Sequence, residues 1–140
     1  MTINTAATYR GARQRIVDRG WTTHQWTGPA GEECLVQALG MHAGVTNEGD
    51  DTTTQLPKAV MMPLVRELGL EPEEHTRLAI AAALWTWNDQ PGRTVDEVTA
   101  LLQRVASRLE AEAEPVYVPQ SWLHRRLFTG SKKEPAQVAA

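Results

Sequence analysis

Apolar residues recur along the chain at three- and four-residue intervals, the period of a helix buried on one face. The first such stretch predicts a helix over 5–19. Tyr9, Ala12 and Ile16 form its inner stripe, Asn4 its N-cap and Gly20 a left-handed C-cap. Leu35, Ala38, Leu39 and His42 give a short helix that ends at Gly44. A third helix ends at Leu68 before Gly69. It starts either at Pro57, with Pro63 kinking its middle, or at Pro63 itself. Pro72-Glu73-Glu74 opens a fourth, with carboxylates at its positive end. From Leu78 to Trp87 this helix is apolar almost all round, so it is expected at the centre of the bundle, sheltered on nearly every side. Finally, Thr94 and Glu97 fit a capping box, followed by a stripe of Val95, Val98, Leu101, Leu102, Val105 and Leu109 that runs to about Ala113.

Between the first two helices the pattern changes. Trp21-Thr22-Thr23 suits an extended segment, Gly28-Pro29-Ala30-Gly31 reads as a turn, and Glu33-Cys34-Leu35-Val36 reads as a returning strand. Residues 45–55 are polar and acidic and read as an exposed loop. The expected fold is mainly α: a small helical bundle of four to five helices with a short β-hairpin near residues 21–36. Residues 1–114 form this helical domain with its hairpin. Residues 115–140 form a C-terminal extended and short-helix segment with a flexible tail, since Pro115 and Pro119 enforce an extended backbone.

A length of 140 residues, with 41% hydrophobic and 22% charged, fits one globular soluble domain. The single cysteine excludes a disulfide framework and a multi-cysteine zinc site. No apolar run approaches the roughly 20 residues of a spanning helix. The first residues lack the basic and apolar regions of a secretory signal, so the expected location is cytoplasmic. The net charge of −3 hides a segregation: residues 1–20 and 120–140 each carry +3, which leaves −9 between them. The acidic body repels nucleic acid, whereas the basic ends suit phosphate, an acidic protein surface or plain solvation.

Chemistry is sparse. Cys34 is the sole thiol, with His24 and His42 near it in sequence, but nothing around it matches a nucleophile signature. A small buried apolar residue is the adopted account. The spacing of His24, Cys34, His42 and His75 matches no zinc pattern, and no metal or cofactor is expected. Asn88, Asp89 and Arg93 form a polar corner between the last two helices. Either it binds something or its groups satisfy helix ends, Arg93 on a carboxylate or a terminal carbonyl. Val65–Leu70 before a helix has the outline of a helix-turn-helix, but Glu73, Glu74 and the alanines after them are wrong for a DNA groove. In the C-terminal segment, Tyr117, Val118, Trp122, Leu123, Leu127 and Phe128 accompany Arg125 and Arg126. This composition is enriched at protein interfaces, and it equally suits a segment folded back on its own core.

Several short motifs follow one another in order. Gly20-Trp21 comes first, then Gly31 with Cys34-Leu35 and Ala38-Leu39. Trp87-Asn88-Asp89 follows, then Arg93-Thr94 with Glu97-Val98 and Leu101-Leu102. Over roughly residues 9–109 this series resembles an uncharacterised family of small proteins of actinobacteria and their phages. The resemblance implies a helical fold and such a source. It carries no known activity and transfers no catalytic residue.

The expected function is a non-enzymatic protein-binding module that, in a phage, binds and modulates a host protein. Its partner-binding residues are those of the aromatic, basic C-terminal segment. The alternatives are a nucleic-acid-binding regulator using Arg10, Arg13, Arg125, Arg126, Lys132 and Lys133, and a small enzyme using Cys34. The oligomeric state is not legible.

Overall fold

The computed structural model describes residues 4–45 and 55–113. Its elements are α1 (Thr5–Arg19), α2 (Leu35–Ala43), α3 (Lys58–Leu68), α4 (Arg77–Asn88) and α5 (Val95–Ala113). No β-strand occurs among the described residues. The expected mainly α bundle is present, with five packed helices. The expected boundary at residue 114 and the segment beyond it lie outside the described residues.

The helix ends follow local chemistry. Asn4 accepts the Ala7 N–H at 3.0 Å and caps α1. Pro57 precedes α3, and Pro63 lies within it. The earlier of the two possible starts is therefore the observed one. The carbonyl that Pro63 leaves without a partner belongs to Ala59, which is exposed. At α5 the capping box closes in both directions: Thr94 N–H donates to Glu97 Oε1 at 2.9 Å, and Glu97 N–H donates to Thr94 Oγ1 at 3.2 Å.

The helices share one core. α1 packs on α5 and α2, α3 packs on α4, and α2 meets α4. Tyr9, Ala12 and Ile16 face inward as expected, and the Tyr9 hydroxyl donates to the Val60 carbonyl. At Gly11 the approach of α1 to α2 is close. An added β-carbon would stand 2.0 Å from the His42 ring.

Two expectations are corrected. The central rod is α2, where Leu35 to Gly40 are all buried. On α4 only Ile80, Ala81, Leu84 and Asn88 are buried, while Leu78 is 51% exposed. Alanine counts as apolar in a pattern but has little area to bury, so Ala82 and Ala83 do not force a neighbour onto their side. This helix also starts later than Pro72. Thr76 is the N-cap, accepting the Ala79 N–H at 3.1 Å.

The hairpin near residues 21–36 does not form. Leu35 and Val36 belong to α2, and the preceding loop is held by isolated bridges from Glu33 to Trp21 and to Thr27. Its backbone groups are satisfied singly: Glu33 N–H on Gly20 O at 3.0 Å, Gly28 N–H on Glu32 O at 2.7 Å, Cys34 N–H on Trp26 O at 3.1 Å. The helical spacing of Leu35, Ala38 and Leu39 outweighs the strand preference of Cys34–Val36, because it puts the whole stripe into the core.

Candidate functional site

The loop 20–34 folds over the C-terminal end of α4, and Asn88 is the joint between them. Its side chain is fully buried. Oδ1 accepts the Trp21 indole N–H at 2.7 Å and the Leu35 backbone N–H at 3.1 Å. Nδ2 donates to the Thr22 carbonyl at 3.2 Å and to Asp89 Oδ1 at 2.9 Å. Every polar atom of the amide is therefore engaged, as burial demands.

The loop is also tied to α1. Glu33, fully buried, accepts two hydrogen bonds from the Arg15 guanidinium at 2.8 and 2.7 Å. A second pair closes the far end of the domain, where Arg10 meets Glu110 at 2.6 Å. There the Arg10 hydrogen bond holds the Glu110 carboxyl below its ordinary range.

Of the polar corner, Arg93 is taken up by the helix end. Its Nε donates to the Trp87 carbonyl at 3.0 Å, its guanidinium lies 4.0 Å from the centroid of the Trp87 ring, and Nη1 is 3.2 Å from Glu97. Asp89 behaves differently. It reaches across to the loop, where Oδ1 accepts the His24 N–H at 2.9 Å. His24 has a positive φ of 63°, the left-handed region, and this bond holds it there.

Asp89, His24, Gln25, Trp26, Cys34 and Trp85 line an open cavity of about 350 Å³. Trp26 and Trp85 meet edge to face with centroids 5.5 Å apart. Trp85 and Trp87 thus serve different neighbours, as their two-residue spacing on a helix requires. Cys34 caps α2, its Sγ accepting the Gln37 N–H at 3.4 Å. Burial pushes its thiol from 9.0 up to about 12, against the opposing pull of backbone N–H groups at the helix start. No hydrogen bond joins it to His24, and His42 lies instead over Gly11.

Thus Cys34, His24 and Asp89 share a cavity, Asn88 lies under it, and Arg93 stands aside. Tyr117, Val118, Trp122, Leu123, Arg125, Arg126, Leu127 and Phe128 lie outside the described residues. Sequence reasoning missed the pairing of Trp26 with Trp85 and the buried Arg15–Glu33 pair, because both join segments distant along the chain. Among the described residues, no group of three His, Cys, Asp or Glu side chains is placed to hold a metal, and no helix is long and apolar enough to cross a membrane.

No curated protein and no solved structure matches the chain. A match to one family extends over residues 1–108, which takes in the loop, the cavity and most of α5. The chain belongs to that family, the family of unknown function DUF6197.

Proposed function

We propose that the protein is a non-enzymatic protein-binding module of actinobacterial or phage origin, working in the cytoplasm, where a phage member would bind and modulate a host protein. The observation that favours this reading over a cysteine-dependent enzyme is the state of Cys34. The one thiol is 2% exposed, and burial raises it far above neutral pH, so a thiolate nucleophile is disfavoured. Capture is then the work of the aromatic and basic residues Tyr117, Val118, Trp122, Leu123, Arg125, Arg126, Leu127 and Phe128. Pairing of Arg10 with Glu110 weighs against phosphate binding by that arginine.

The test compares the full chain with residues 1–114 and with Trp122→Ala in affinity capture from the natural host. Both variants should keep the helical circular dichroism of the full chain and lose the partner. Undiminished capture by residues 1–114 would remove the segment from the function.

A further inference from the structure

We propose that the cavity between the 20–34 loop and the end of α4 binds an organic cation, an ammonium or guanidinium group. Trp26 and Trp85 supply two of its walls and Asp89 its charge, and no lysine or arginine among the described residues lines it.

The carboxylate is fixed and half satisfied. Oδ1 takes the His24 N–H and the Asn88 amide, both at 2.9 Å. Oδ2 stands 3.7 Å from His24 Nδ1, within ion-pair reach of that 74% exposed side chain when it is protonated, but accepts no hydrogen bond among the described residues, so a guest cation takes the place of a mobile imidazole. A cation beside it gains a charge-assisted bond to an oxygen that is already oriented.

The indoles add to the same preference. Their planes cross at 78°, so the faces of the ring that presents its edge stay clear of the other. An indole face is negative and attracts cations, the more so when partly removed from water. Both elements repel an anion, and a neutral apolar guest would leave Oδ2 unpaired. Two residues further along α4, on another side of the helix, the fold already sets a guanidinium against an indole, Arg93 on Trp87 at 4.0 Å. The volume of about 350 Å³ falls at the small end of ligand sites and has room for a whole arginine side chain.

The cation has two possible sources: a free amine or guanidine, and an arginine or lysine side chain of another protein. Nitrogen–proton correlation spectra of the full chain, titrated with butylguanidinium and with the neutral isostere butylurea, test the site. Butylguanidinium should shift the His24 amide and the Trp26 and Trp85 indole signals, and butylurea should not. Asp89→Asn keeps the acceptor for the His24 N–H and should weaken binding by about tenfold or more. A third titration with a blocked Gly-Arg-Gly peptide separates the sources. Tighter binding than butylguanidinium assigns a protein side chain, and weaker binding assigns a free cation. Absent shifts at millimolar butylguanidinium, equal shifts with butylurea, or unchanged affinity in a folded Asp89→Asn protein would each overturn the proposal. The titration reads His24, Trp26, Trp85 and Asp89, so its outcome is independent of the capture assay on residues 115–140.

Discussion

Asn88 Oδ1 accepts the backbone N–H of Leu35 at 3.1 Å, so the last residue of α4 closes the first turn of α2. A helix start leaves N–H groups without intrahelical partners, and α2 has one of them satisfied by a residue 53 positions away. The Trp21 indole uses the same oxygen. Two donors thus depend on one acceptor in the interior.

Asn88→Ala should therefore cost about 2–4 kcal/mol, because two donors lose their partner inside the fold. Urea unfolding measures the loss, and hydrogen exchange should show the Leu35 amide among the signals that lose most protection. A change under about 0.5 kcal/mol, the size of an ordinary surface substitution, would contradict the joint described here.

The Arg15–Glu33 pair makes a different prediction. Arg15→Met leaves a fully buried carboxylate without its partner, which should cost about 3 kcal/mol or more. Adding Glu33→Met removes the stranded charge, so the double variant should regain most of that stability. Equal stability of the single and double variants would mean that the stranded carboxylate costs nothing.

Cys34 should react slowly with iodoacetamide at pH 8 in the native protein and rapidly in urea, since its thiol stays protonated and covered. Its raised value also ties stability to pH. Above pH 9.0 the unfolded chain loses the thiol proton while the native state keeps it up to about 12. Stability should fall as pH rises through that window. Tyr9, raised above its ordinary 10.0 mainly by burial, adds a fall of the same sign. Cys34→Ala should flatten the decline measured by urea midpoints between pH 9 and 10 and leave the Tyr9 part above it.

Two residues of α4 distinguish its wet side from its dry one. Ile80→Ala should cost about 2–4 kcal/mol, as a large-to-small change in a closed core. Leu78→Ala, at a position 51% exposed, should stay within about 0.5 kcal/mol. Similar losses in thermal melts of the two variants would restore the view of α4 as buried all round.

Where local chemistry determines structure, the sequence was readable. Asn4 and Gly20 bound α1, and Thr94 with Glu97 starts α5, because caps act within one turn. The apolar stripe of α5 from Val98 to Val105 likewise needs only its own residues, whereas Val95, expected at its start, is 40% exposed. The 20–34 loop was not readable as such. Trp21, Thr22 and Thr23 favour an extended backbone, yet the shape is set by Arg15 on α1, Asn88 at the end of α4 and Asp89 just after it. The cavity shares that origin. Asp89 was singled out in the polar corner and Cys34 as the lone thiol, but their meeting with Trp26 and Trp85 depends on packing of α4 against the loop. Cys34 as a helix cap had one sequence sign, the Leu35, Ala38, Leu39 spacing that begins immediately after it.

The contact between Gly11 and His42 works as a notch and its tooth. The imidazole occupies room that any β-carbon at position 11 would claim. Sliding α2 along α1 by one turn, about 5.4 Å, would bring that ring toward Ala7 or Arg15, which both carry side chains. The absence of a single methyl group therefore gives the histidine its seat on α1, and filling it turns that exposed ring out toward solvent.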